Sequence, residues 1–283
     1  RDGAEEDTMQ NTATATTAAT GLNSINPARE ARLAIRSGEH NTHTGGVAPG
    51  HVQANMVILP KEYAQEFQTY CMLNPKPCPL LAVGDAGDPS LPTLGEDIDV
   101  RTDLSGYRVF ENGKEIDVAS DITEYWRDDL VSFPLGCSLS FEEALVQHGV
   151  PLYHRQRGGR PATYVTNIDT APAGRFNGKM VVSMRAMSPA DAIRAIQITT
   201  RFPSVHGAPV HIGHPEAIGI DDLDYQEFGG TPPQMREYDV PVFWACGITP
   251  QIVVETVKPS FCITHLAGRM LVTDLLNTDL AVL

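Results

Sequence analysis

The chain has 283 residues, 42% of them hydrophobic and 20% charged, with 24 Gly and 21 Pro. It is long enough to bury a full core in a compact, loop-rich protein. Thirty-five acidic against 21 basic residues leave a formal net charge of −14, which argues against nucleic acid as a partner, because phosphate binding needs basic patches. No apolar run reaches the roughly 18 residues of a membrane span, so no membrane partner is expected. No basic segment followed by an apolar stretch opens the chain, so no secretory signal is expected. The odd count of five Cys points to a reducing compartment, taken as the cytoplasm.

Residues 1–26, rich in Thr, Ala and Asn, read as a disordered tail. A helix is expected from Pro27, with Asn26 as N-cap, to a stop at Gly38. The glycine-rich loop 44–50 leads into a strand at 52–59 and a helix at 61–73, ended by Asn74-Pro75-Lys76-Pro77-Cys78-Pro79. Residues 84–106 form a Gly/Pro/Asp-rich excursion. A hairpin with an Asn112-Gly113 turn follows, and then a short helix begun by Asp121-Ile122-Thr123-Glu124.

Two later stretches repeat one plan. Val131 to Cys137 runs into Ser138-Leu139-Ser140-Phe141, and Val240 to Cys246 runs into Gly247-Ile248-Thr249-Pro250. Each reads as a buried strand, a Cys, a tight turn, a hydroxyl cap and a helix. Ser140 with Glu143 fits a capping box, and Thr249-Pro250 fits a cap with Pro at N1. Between them, 150–178 reads as loop, 179–185 as a buried strand, Ser188 as the N-cap of a helix to about Arg201, and 209–212 as a short strand. Residues 213–238 read as mostly loop and 261–265 as a last strand.

Strands alternating with helices predict an α/β fold: a mainly parallel sheet with helices on both faces, plus a smaller inserted α+β lobe. Residues 27–94 and 179–283 are assigned to the main domain and 95–178 to the insertion.

The repeat marks a pocket, because helix starts present unpaired N–H groups and partial positive charge. Cys137 and Cys246 are candidate acid/base or nucleophilic groups there, against the plainer reading of small buried hydrophobes. Ser138, Gly247 and Thr249 are candidate ligand contacts. Three His lie between 206 and 214, and His206 and His211 are candidate proton carriers. Metal ligation with Asp221 or Asp222 is a weaker reading, since the spacing matches no defined motif. Arg185, at a strand end, is placed to grip a carboxylate or else to pair with an acidic side chain. Arg101 is a candidate contact from the excursion, and Lys76, His265 and Asp274 are noted beside these. Loop 44–50 lacks both phosphate-loop and dinucleotide spacing, so no nucleotide fingerprint is present.

Several blocks together resemble one family. They are Gly50-His51-Val52-Gln53-Ala54-Asn55, Asn74 to Leu81, Arg101-Thr102-Asp103-Leu104, Trp126 to Val131, Gly136-Cys137-Ser138, Ser140 to Leu145, Arg201-Phe202-Pro203, His206 to Gly213 and Pro241 to Gly247. Over roughly residues 27–274 the chain is similar to the D-glutamate cyclase family, whose bacterial members are labelled hydro-lyases. The resemblance implies a two-lobed α/β lyase interconverting D-glutamate with 5-oxo-D-proline and water. It also implies a divalent metal, manganese, and supplies no settled catalytic residues. Two departures stand out: His214 replaces an acidic residue, and Leu266 to Met270 replaces a Pro-Gly-His, with Arg269 in the His place.

The expected partner is therefore a small acidic amino acid or its lactam, with self-association left open. Two rival readings are dehydration of another small hydroxy or amino acid, and non-catalytic binding of a small carboxylate.

Overall fold

The computed structural model describes residues 26–228 and 230–282. The tail read as disordered lies outside the described residues, except Asn26. The Asn26 side chain accepts from the N–H groups of Ala28 and Arg29 and starts helix α1, Pro27–Arg36. Strand β1, His51–Pro60, is buried from Val52 onward. Helix α2, Lys61–Leu73, ends at Asn74, and the prolines that follow bar its continuation.

Strands β2, Tyr107–Glu111, and β3, Lys114–Ala119, form the expected hairpin. Its turn residues Asn112 and Gly113 both have positive φ, 50° and 76°, as a two-residue turn of the favoured twist demands. A single 3-10 turn, Thr123–Tyr125, stands where a short helix was expected. Then come β4, Leu130–Gly136; α3, Ser138–Gln147; and α4, Tyr153–Gln156. Next are β5, Ala162–Asp169; β6, Lys179–Met187; and α5, Pro189–Thr199, with Ser188 capping as expected. The chain closes with β7, His211–Ile212; β8, Val240–Ala245; α6, Ile248–Val257; β9, Phe261–His265; and β10, Leu271–Leu276.

Helices and sheets are mixed, but among the described residues the sheets are antiparallel, not mainly parallel as expected. A six-stranded sheet runs β10-β1-β9-β2-β3 with β4 also on β1, and a four-stranded sheet runs β5-β6-β8-β7. Every one of these pairings is antiparallel. Continuous apolar runs report burial on both faces, and parallel sheets are only the commonest way to achieve it. Here β1 is covered on one side by Phe67 and Tyr70 of α2, which pack with Val57 and Leu59. On the other side Ala54, Met56 and Ile58 meet Leu91, Leu94, Ile98 and Leu104. The loop-rich excursion thus does the work of a covering layer.

From the segment read as an insertion, β4 pairs with β1, β2 with β9 and β5 with β6. The segment 150–178, expected to be loop, holds α4 and β5. Helices α3 and α5 pack Phe141, Leu145, Ala192 and Ala195 against Val242 and Trp244 of β8. That packing fixes where the start of α3 stands.

Candidate active site

The two strand–Cys–helix units come together. Cys137 is the N-cap of α3 and Gly247 that of α6, and neither helix start has a side-chain cap. Cys137 N–H donates to Gln53 O at 3.1 Å, and Cys246 N–H to Val181 O at 2.9 Å. Asn55 ties the units to each other. Its Nδ2 donates to Gly136 O at 3.1 Å, and a Cβ on Gly247 would lie 2.1 Å from that same nitrogen. Only glycine allows the start of α6 to sit so close.

A cavity of about 320 Å³ opens where the two helix starts meet. Cys137, Ser138, Cys246 and Ile248 line it from the helix starts, and Asn55, Glu142, Arg160 and His265 from elsewhere. Small-molecule sites are of this size and this concave form.

Its central charge is Glu142, which is 1% exposed. Arg185 Nε donates to Glu142 Oε1 at 3.0 Å, Arg185 Nη2 donates to the same oxygen, and His154 Nε2 lies 3.1 Å from it. Oε2 is buried with no hydrogen-bond partner. Burial alone would push this carboxyl up, but the Arg185 charge and the His154 hydrogen bond outweigh it and bring it down to about 2. Glu142 is therefore an ionised carboxylate at neutral pH; it lines the cavity, and among the described residues its Oε2 has no hydrogen-bond partner.

The thiols are the opposite case. Burial pushes Cys137 up to about 12, against the opposing Leu139 N–H, and the nearby Cys246 adds to the rise. Cys246 is raised too, chiefly by burial, against the Ile248 N–H and the charges of Arg185 and Arg160. Both rest as proton-bearing thiols, fit to donate. His265 accepts the Met56 N–H on Nδ1 at 3.1 Å, and burial pulls it down to about 4. It is a neutral ring.

Of the residues singled out in the sequence, Cys137, Cys246 and Ser138 line the cavity. His206, His211, Arg101, Arg185, Gly247 and Thr249 are not among its lining residues. Arg185 is 3% exposed and bonded to Glu142, Ser183 and Ser138. Its charge acts on the site through Glu142, not as a free clamp. Gly247 acts by the room it leaves. Thr249 is inside α6, its Oγ1 accepting the Val181 N–H at 3.0 Å and donating to Val181 O at 3.3 Å. Ser140 is likewise inside α3, its Oγ accepting the Gln53 N–H at 3.0 Å, so the expected capping box is not formed. His206 is buried, with Nδ1 2.8 Å from Lys76 O, and is pulled down to about 4 by burial. His211 lies on β7 with Nε2 3.0 Å from His214 O. Arg101 pairs with Asp99, and Asp274 with Arg32.

The sequence reading missed Glu142, Asn55 and Arg160. A signal for β1 was present: His51, Gln53 and Asn55 alternate as polar residues within an apolar strand, and all three line the cavity. Glu142 is one helical turn beyond Ser138, which becomes visible only once α3 starts at Ser138. Arg160 is exposed at the cavity, and among the described residues it has no ion-pair partner.

The manganese implied by the resemblance finds no ligand set. Among the described residues no group of three or more His, Cys, Asp or Glu converges to hold a metal ion. Glu142 already shares one oxygen with Arg185.

Residues 131–274 match the family model for D-glutamate cyclase. A protein of Verminephrobacter eiseniae (strain EF01-2), named "Putative hydro-lyase", is 58% identical over 252 residues, covering 89% of this chain and 92% of that one. The chain belongs to the D-glutamate cyclase family. A second relative of the same printed name, from Rhodopseudomonas palustris, is 55% identical over 257 residues, covering 91% of this chain and 94% of that one. Among solved structures, the nitrogen repressor-like protein MJ0159 of Methanococcus jannaschii aligns with a TM-score of 0.37 and 10% identity over 84% of this chain and 91% of that one. That likeness is too slight to bear on the site.

The family and its named members make this chain an enzyme of the hydro-lyase kind. Among the described residues no helix is long and apolar enough to cross a membrane. Arg269 donates Nη1 to Ser105 O at 2.6 Å, while its neighbours Ala267, Gly268 and Met270 form cavity wall.

Proposed function

We propose that this D-glutamate cyclase family member interconverts D-glutamate with 5-oxo-D-proline and water in the cavity between the starts of α3 and α6. The observation that carries the reading is the ionised Glu142, one of whose oxygens has no hydrogen-bond partner among the described residues, in a wall that also holds Arg160 and two uncapped helix starts. An amino acid with a second carboxyl presents the complement: an ammonium for Glu142 Oε2 and a carboxylate for Arg160.

Cyclisation then needs three services. Glu142 Oε2 pairs with the substrate ammonium and holds it in place, and the fraction that has lost its proton to solvent attacks the side-chain carboxyl carbon as the free amine. The N–H groups at the two helix starts hold the oxygen on which charge develops; one such donor is typically worth about 2.7–4 kcal/mol of barrier. As the carbon–nitrogen bond forms and the carbon–oxygen bond breaks, a thiol gives its proton to the departing hydroxyl, which leaves as water. The reverse reaction retraces these transfers.

The test is incubation with D- and L-glutamate and both 5-oxoprolines, with products followed by NMR. A lactam signal growing from D-glutamate supports the reading. An alkene signal from another hydroxy or amino acid, with no lactam from glutamate, replaces it with a dehydration.

A further inference from the structure

We propose that the same cavity also exchanges and inverts the α-hydrogen of its ligand, with Cys137 and Cys246 acting as a thiolate–thiol pair. This rests on the reading that a small acidic amino acid or its lactam occupies the cavity.

Cyclisation employs one thiol at most, yet two line the cavity, each at the start of a different helix. They are brought together by Asn55, whose amide bonds the residue before Cys137 and packs on the residue after Cys246. Asn55 and both cysteines line the same cavity. Glu142, a lining residue 1% exposed whose Oε2 has no hydrogen-bond partner among the described residues, independently marks this as a place built for a ligand.

The chemistry balances within the pair. A thiolate at one cysteine takes the α-hydrogen as a proton, forming an S–H bond, and the C–H electron pair stays on the ligand. That charge spreads into the neighbouring carboxyl group, which Arg160 and the helix-start N–H groups steady. The other thiol delivers its proton to the opposite face of the carbon and becomes the thiolate. One C–H bond breaks, one forms, and no oxidant, reductant or second substrate is consumed. Burial keeps both resting thiols protonated, so the active form is a minority at neutral pH and the exchange accelerates as pH rises.

The experiment places the wild-type protein in D₂O with each enantiomer of glutamate and of 5-oxoproline. Loss of the α-hydrogen signal is followed by NMR and inversion by chiral chromatography. The expected result is exchange and inversion with at least one of the two compounds, faster at higher pH. Cys137→Ser and Cys246→Ser each lower inversion by about 100-fold or more, the scale of a lost acid/base group. Each variant retains at most exchange from a single enantiomer, and melting curves confirm that both are folded. Absence of exchange with all four compounds overturns the proposal, as does undiminished exchange in C137S/C246S. Lactam formation is read separately in the same spectra. Lactam without exchange ends this proposal and leaves the cyclisation standing; exchange without lactam does the reverse.

Discussion

Arg185 binds one oxygen of Glu142 and leaves the other, among the described residues, without a hydrogen-bond partner. The guanidinium is itself fixed by Ser183 and Ser138 and packed over Phe141 and Trp244. A carboxylate held this way keeps its charge and cannot turn away from a ligand.

Replacing Glu142 by Gln preserves the shape and removes the charge that pairs with the substrate ammonium. We expect lactam formation to fall by about 10- to 100-fold, as for one charged hydrogen-bonding partner lost. Arg185→Met leaves Glu142 buried and uncompensated, and the loss of stability is expected to be about 3–5 kcal/mol, measured by urea unfolding. An E142Q enzyme with wild-type turnover would remove Glu142 from the reaction.

Arg160 is exposed and holds no part of the core, so Arg160→Ala should leave the melting temperature alone. The substrate KM is expected to rise about 10- to 100-fold, as for one charged hydrogen-bonding partner lost, with kcat much less affected. A KM that stays put would place the substrate carboxylate elsewhere.

Gly247→Ala drives a methyl into the Asn55 amide. Overpacking of this kind typically costs about 1–3 kcal/mol, and here it also shifts the start of α6. Asn55→Ala makes room, so the double variant N55A/G247A should recover part of the stability lost by G247A alone. Additive losses would show that the two residues do not meet.

Acid should unfold the protein through its buried histidines. His206 and His265 protonate near 4 in the fold and near 6.5 when unfolded. Between those values the unfolded chain holds more protons, so stability is full above 6.5 and falls as pH drops toward 4. Each contributes about 1.4 kcal/mol per pH unit inside that window. Glu142 acts lower: its stabilisation is present above the ordinary carboxylate range and is lost as pH falls toward 2. Urea midpoints from pH 7 to 4 test this, and H206Q should flatten the slope by about one proton. An H206Q slope equal to wild type would refute the buried neutral ring.

The two histidines first read as proton carriers now separate. His211→Ala, on the edge strand β7, is expected to leave turnover unchanged. His206→Ala is expected to act mainly on stability, because its ring is buried against Lys76 rather than at the cavity wall. A turnover loss in H211A larger than its stability loss would restore it to the site.

Local signals in the chain determined much of this protein. Asn26 and Ser188 before proline capped helices, Asn112-Gly113 turned a hairpin, and the two strand–Cys–helix units were legible, since caps and turns depend on a few adjacent residues. The family blocks were equally local. Strand direction was not legible, because an apolar strand such as β1 is the same string whether its neighbour runs with it or against it. The tertiary structure alone decided that β1 and β4 lie antiparallel, that Asn55 draws the starts of α3 and α6 together, and that Arg185 is bound to Glu142 instead of open to substrate. Each of these joins residues tens of positions apart, where only the packed chain sets the distance, and distance sets which charge is paired and which is free.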